Sequence, residues 1–402
     1  MANVDICSCA LTRMLESEEA ARRLGIKLAT LYAYVSRGLL PSYPTTDSRR
    51  SLFDLDDVER LARRSRSGRR VETRLASVTT AVTQLRDDGP AYRGKPVADL
   101  ARTECFESVA DLLFSAPTGA APDWRPARLG RPPQMAASNR LSWAVMMCGA
   151  RDPLRSDLRT ESVVKKARTV IASAVESARG LRQGVAREDA HSESKTSVAG
   201  RLALVLADEP SATLVGAVDT ALVVLADHEL ATSTMAVRVA ASTRADVYDA
   251  LLAGLCTLAG PLHGGASEVA HGLLVHAERV GVAPALDSAL RWQGSLPGFG
   301  HPLYSGGDPR FGVLMQKVNE LASPEQEWMV RSLVDLARAQ AVPAPNVDLA
   351  LAALTWAAGA PPDAGRTIFS VARLAGWTAH YIEELAERPL RFRARAVYAS
   401  DR

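Results

Sequence analysis

Four short segments in the last third of the chain carry histidines, a carboxylate and arginines beside glycines: PLHGGASE at 261–268, GFGHPLYSGGDPR at 298–310, NVD at 346–348 and ARLAGW at 372–377. Making a carbon nucleophile next to a carbonyl takes a base for the C–H proton, a donor to hold the enol oxygen, and a second donor for the acceptor carbonyl. Asp348, His263 and His301 supply these in turn. A carboxylate is a weak base, and positioned acid–base catalysis contributes about 10²–10⁴-fold. Neutral donors on the developing oxyanions therefore have to add about 10²–10³-fold each. Arg310 and Arg373 suit a dicarboxylate, because a guanidinium fork binds carboxylate through two parallel hydrogen bonds where lysine offers a point charge. The three catalytic candidates are far apart in sequence, so tertiary folding has to assemble them. Glycines 264, 265, 298 and 300 predict tight turns that present the two histidines.

These residues, in this order, resemble the citrate synthase family. The segment ADHELATSTMAVRVAAST at 226–243 adds His228 at the position of the family's oxaloacetate-binding histidine, and AYRGKPVADLA at 91–101 resembles the strand and turn that open its fold. The resemblance implies a mainly α, helical fold over 71–402, with a large domain and a small subdomain at about 265–359 whose closure excludes water. It implies an acyltransferase of the tricarboxylic acid cycle that condenses acetyl-CoA with oxaloacetate to give citrate and CoA. The acyl-CoA is then a cosubstrate, and no other cofactor is implied. By the same resemblance His263 polarises the thioester carbonyl, Asp348 removes the methyl proton, His301 protonates the acceptor ketone, and Arg310 and Arg373 clamp carboxylates. Arg393, in RARAVY, matches the arginine that the family sends into its partner's active site, which implies a homodimer. A 2-methylcitrate synthase using propionyl-CoA shares all these residues, and sequence does not separate the two. Two positions depart from the family pattern: Ala231 stands where Asn is frequent, and Ser305 where Arg or Lys contacts CoA phosphates.

The N-terminal part, 1–70, has another character. SEEAARRLGIKLATLYAYVSRGLL predicts a helix from about Ser17 to Leu24, with Ser17 as its cap, a turn at Gly25, and a second helix from about Ala29 to Arg37. A short strand near Ser51 to Phe53 and a third helix from Asp54 or Leu55 follow. This is helix-turn-helix spacing, and it resembles the winged module of the MerR and excisionase type. Such a module places Thr30, Tyr32 and Arg37 near a major groove and the wing residues Arg49 and Arg50 on phosphate. Seven arginines fall between 60 and 74 against one acid, Glu72, which reads as a basic linker. The module opens a third reading: a DNA-binding regulator whose synthase-like body senses a CoA ester or a keto acid. A sensor has no need of a proton-abstracting Asp348, which favours the enzyme.

The 402 residues suffice for more than one domain. Apolar residues make up 47% but aromatics only 5%, with alanine and leucine dominant, which favours helices. A formal net charge of +3 is too mild to establish a nucleic-acid partner on its own. Five scattered cysteines do not form a disulfide framework and fit a reducing cytoplasm. No apolar run reaches the roughly 18 residues of a membrane span, so no membrane association is expected. No His/Cys spacing fits a metal site, and His191, His271, His276 and His380 receive no role.

Overall fold

The computed structural model describes residues 14–24, 26–36, 40–44, 51–55, 57–58, 78–86, 88–116, 124–179, 197–260, 263–293, 296–304 and 306–393. The chain divides into two compact units, Met1–Val78 and Thr79–Arg402.

In the first unit, β1 (Met14–Glu16), β2 (Tyr43–Pro44) and β3 (Ser51–Asp54) form an antiparallel sheet in the order β1-β3-β2, with Leu15 opposite Phe53. Two helices, α1 (Ser17–Leu24) and α2 (Leu28–Ser36), lie where the sequence places them. Glu18 and Glu19 in the first turn of α1 and Arg22 and Arg23 in its last turn complement the helix dipole. Ala20, Ala21, Leu24, Leu31, Leu40, Phe53 and Val58 form the core. Ser17 does not cap α1 as expected: it is already helical, its Oγ donates to the Ser51 carbonyl at 3.2 Å, and it meets the Tyr32 hydroxyl at 3.1 Å. The side chain therefore joins helix, wing strand and second helix instead of closing a helix end.

The second unit is helical apart from a small antiparallel sheet of β4 (Thr83–Arg86), β5 (Gly89–Tyr92) and β6 (Lys95–Pro96). Its helices are α3 (Val97–Thr103), α4 (Phe106–Phe114), α5 (Ala137–Arg151), α6 (Thr160–Arg179), α7 (Val198–Leu206), α8 (Ala212–Leu225), α9 (Thr232–Ser242), α10 (Val247–Leu258), α11 (Ala266–Val280), α12 (Val282–Gln293), α13 (Pro309–Leu321), α14 (Pro324–Ala339), α15 (Val347–Ala357) and α16 (Ala364–Leu385). Side-chain caps from Ser197, Ser211, Asp246, Asp308, Ser323 and Asn346 fix where six of them start. Ser323 and Gln326 complete a capping box at α14.

The organising element is α16. It is buried along nearly its whole length, from Ala364 to Tyr381, and packs against α6, α8, α9, α10 and α11. A helix covered on all sides has to lack exposed polar faces, so the charged and polar residues it does carry, Arg373, His380 and Glu384, have partners inside the protein. Burying Trp377, Ile368 and Leu374 contributes about 1.5–3 kcal/mol each before entropy. Among the described residues no helix is long and apolar enough to cross a membrane.

Candidate active site

The loop carrying His301 is pinned to the segment that leads into α15. Gly300 N–H donates to the Ala344 carbonyl at 2.8 Å, Asn346 N–H to the Gly298 carbonyl at 2.9 Å, and Asn346 Nδ2 to the Gly300 carbonyl at 2.7 Å. Phe299 and Pro345 form an antiparallel bridge between these hydrogen bonds. Gly298 has φ +81°, and a Cβ there would lie 2.8 Å from Leu349 Cβ, so only glycine lets the two segments approach this closely. Asn346 also caps α15, its Oδ1 accepting the Asp348 N–H at 3.0 Å. Asp308 adds a second tie: it accepts the Val347 N–H at 3.0 Å and holds Arg310 through Nε at 2.9 Å and Nη2 at 2.8 Å. His301 and Arg310, from one segment, and Asp348, from another, are thereby fixed as a group.

His228, on the turn after α8, completes the acceptor side. Its Nε2 lies 3.0 Å from the Tyr304 hydroxyl, and its ring meets His301 edge-on at 5.2 Å between centroids. The Tyr304 ring tilts over His301 at 4.7 Å. The His301 Nδ1 accepts the Leu303 N–H at 3.1 Å, which leaves its remaining proton on Nε2 as a donor. His263, ahead of α11, has Nε2 at 2.8 Å from the Ser233 hydroxyl at the start of α9. Its ring packs edge-on against Phe369, and the Arg373 guanidinium stacks on the same Phe369 at 4.8 Å.

The electrostatics suit these groups to act as donors, a base and an anion receptor. Burial, reinforced by Arg373, lowers His263 to about 4. His228 and His301 are also lowered, by burial first and then by Arg310. All three histidines are thus neutral at pH 7 and able to donate without carrying charge. Burial pushes the Tyr304 hydroxyl up to about 12, so it stays protonated. Asp348 is raised to about 6, again mainly by burial, with Arg310 pulling the other way. A carboxylate tuned toward neutrality is a stronger base than a solvated one and is still ionised at pH 7. Arg373 is buried; its Nε donates to the Leu225 carbonyl at 3.1 Å, while its Nη1 has no partner among the described residues. A desolvated guanidinium with a free N–H calls for an anion. No group of three or more His, Cys, Asp or Glu among the described residues could hold a metal ion.

The family model described as citrate synthase, C-terminal domain, matches residues 72–395, and a helix-turn-helix domain model matches residues 14–66. The chain belongs to the citrate synthase family. Citrate synthase 2 of Bacillus subtilis is 29% identical over 354 residues, covering 81% of this chain and 94% of that protein. The 2-methylcitrate synthase 1 of Corynebacterium glutamicum is 33% identical over 177 residues, 43% of this chain and 46% of that protein. The citrate synthase of Thermoplasma acidophilum, solved as a ternary complex with carboxymethyl coenzyme A and oxaloacetate, shares the fold with a TM-score of 0.67 at 23% identity, covering 82% of this chain and 95% of that one. As a member of this family the protein is an enzyme of the acyltransferase type, with a helix-turn-helix domain at its N-terminus.

Within this citrate synthase-type body, contacts and charges join His228, His263, His301, Arg310, Asp348 and Arg373. Arg393 takes no part in them: it is exposed in the coil after α16, two residues beyond Arg391, which is bound to Glu384. In the N-terminal unit Thr30 is half-buried and Tyr32 exposed on α2, while Arg37, Arg49 and Arg50 lie outside the described residues, as does Ser305. Ala231 sits immediately before α9 and offers no side-chain cap.

Four participants escape a motif reading. Tyr304 and Ser233 touch the histidines directly, and Asp227 and His380 lie behind them. The readable signal for His380 is its spacing: Arg373, Trp377 and His380 fall on one face of a single helix.

A carboxylate base acts only when ionised, so with Asp348 in that role kcat/KM is expected to fall about tenfold per pH unit below an apparent pKa near 6. A pH–rate profile between pH 5 and 8 checks this, and a flat acid limb would show that Asp348 is not the titrating base.

Proposed function

We propose that the protein condenses acetyl-CoA with oxaloacetate to give citrate and CoA. The reading rests chiefly on one observation: a carboxyl raised to about 6, Asp348, in the same charged cluster as neutral histidine donors and a buried arginine with a free N–H. Asp348 takes the methyl proton as His263 donates to the thioester oxygen, giving the enol. The enol carbon then attacks the ketone carbon of oxaloacetate, and the ketone oxygen receives its proton from His301. Water cleaves the thioester and releases CoA. Arg373 and Arg310 hold the acceptor carboxylates and His228 its ketone side. Arg310 is already paired with Asp308, so Arg373 carries the larger unmet charge. Side chains do all of this with the acyl-CoA as cosubstrate, and closure of the segment at about 265–359 excludes water.

The similarity to a 2-methylcitrate synthase keeps propionyl-CoA as the second substrate reading. One methylene in a pocket discriminates by roughly 1–3 kcal/mol. Mass analysis of the product and kcat/KM for the two thioesters decide: a higher value for propionyl-CoA would replace citrate with 2-methylcitrate as the product.

We infer a homodimer in which Arg393 serves the partner's site. Mixing Arg393→Ala with Asp348→Ala protein under subunit exchange should restore one working site per heterodimer. No recovery despite proven exchange would confine Arg393 to its own subunit or exclude it.

The helix-turn-helix match at 14–66, with Tyr32 exposed on α2, supports duplex DNA as a further partner. Affinity should fall steeply with salt, and Arg49→Ala with Arg50→Ala should flatten the log–log slope by about one unit per lost phosphate contact. Fluorescence anisotropy with native upstream DNA reads this; no binding at low salt would remove DNA from the account.

A further inference from the structure

Behind the acceptor residues runs a buried chain of polar groups that no motif assigns. Asp227, completely buried one residue before His228, accepts the Thr83 hydroxyl at 2.6 Å, the Glu229 N–H at 3.1 Å and His380 Nε2 at 3.2 Å, all on Oδ2. The other nitrogen of His380, Nδ1, lies 3.2 Å from Arg238 Nη1. Arginine has donors only, so Nδ1 presents its lone pair to Arg238 and Nε2 carries the proton aimed at Asp227. Arg238, also completely buried, is held in turn by Glu383 at 2.9 Å and Glu384 at 3.2 Å.

We propose that His380 is a positioning residue for the acceptor pocket: oriented by Arg238 at Nδ1 so that Nε2 donates to Asp227, it holds Asp227 and with it the relative placement of His228 and Arg373. The inference rests on the acceptor role proposed for those two residues. The geometry makes the link tight. Arg373 lies on the same helix as His380 and donates to the Leu225 carbonyl, and Gly376 N–H donates to the Ala226 carbonyl at 3.1 Å. A Cβ on Gly376 would come within 2.4 Å of both that carbonyl and Asp227 Oδ1, so the turn at 225–228 lies directly against α16. Asp227 is the first charge acting to keep Arg373 protonated against its burial. The hydrogen bond from His380 thus fixes an anion that orders the turn on one side and the guanidinium on the other.

Two amide replacements separate the bonds of the ring. In His380→Gln the amide N–H reaches the Nε2 position and keeps the bond to Asp227. In His380→Asn the amide overlays Nδ1, meets Arg238 and falls short of Asp227. Calorimetric titration with oxaloacetate, alongside the KM for acetyl-CoA and the melting temperature, is the test. The expected result is oxaloacetate binding weakened about tenfold in His380→Asn, near wild type in His380→Gln, with the acetyl-CoA KM unmoved in both. Equal oxaloacetate binding in the two variants, or a parallel rise in the acetyl-CoA KM, would overturn the positioning role. If the wild type itself fails to bind oxaloacetate, the proposed acceptor falls and takes this inference with it.

Discussion

Replacing Asp348 with Asn is expected to lower oxaloacetate-dependent CoA release by about 10³-fold while oxaloacetate binding stays near the wild-type value. In the proposed mechanism Asp348 acts on the acyl donor, and Asn keeps the size and polarity of the side chain but cannot take a proton. The helix start survives the change, because the cap bond runs from the residue 348 backbone N–H to Asn346 Oδ1. The pKa shift supplies a control against loss of folding. Asp348 is raised from 3.8 to about 6 in the folded protein, so the folded state binds the proton more tightly than the unfolded chain. Its favourable contribution is complete below the unfolded pKa and is lost as pH rises through 6, which leaves a destabilising charge at pH 7.5. Asp348→Asn should therefore melt no lower than wild type at pH 7.5, with the difference vanishing at acid pH. An inactive variant with a lowered melting temperature at pH 7.5 would assign Asp348 to the fold instead of the chemistry.

Replacing Arg373 with Ala is expected to weaken oxaloacetate binding by about 10²-fold or more and to leave acyl-CoA affinity unchanged. The guanidinium is buried and stacked on Phe369, and among the described residues it makes one hydrogen bond, at Nε, so the carboxylate of the proposed acceptor supplies a partner for its remaining N–H. Asp227, which faces it electrostatically, keeps Thr83, Glu229 and His380 as partners in the variant. Arg373→Lys retains the charge without the fork and should recover only part of the loss. Calorimetry with oxaloacetate against both variants checks this. An unchanged affinity in Arg373→Ala would move the carboxylate clamp elsewhere.

Much of this site was legible because each motif carries its own local cause. The glycines flanking His301 imply a turn, and Asn346 two residues ahead of Asp348 implies a helix start that presents a carboxylate. The helix boundaries of the N-terminal unit followed from Gly25 and the apolar face of Ala20, Ala21 and Leu24. What a linear reading lacked was partners. Ser17 looks like a cap until Ser51 and Tyr32 arrive from elsewhere in the chain. Tyr304 reads as a loop aromatic, yet its hydroxyl meets a histidine 76 residues away in sequence. His380 and Asp227 are 153 residues apart and acquire meaning only where α16 crosses the turn after α8. Burial also tunes every proposed catalytic group, and burial is a tertiary property that no motif states.

Oxaloacetate-dependent carbon–carbon bond formation with Asp348 as base is open to direct assay. The most direct measurement follows free thiol from acetyl-CoA or propionyl-CoA, with and without oxaloacetate, in wild type and Asp348→Asn. Wild type should release thiol only when oxaloacetate is present, with at least one of the thioesters, and the variant should lose that release. Thiol release independent of oxaloacetate, or none from a wild-type protein that binds both substrates, would contradict it.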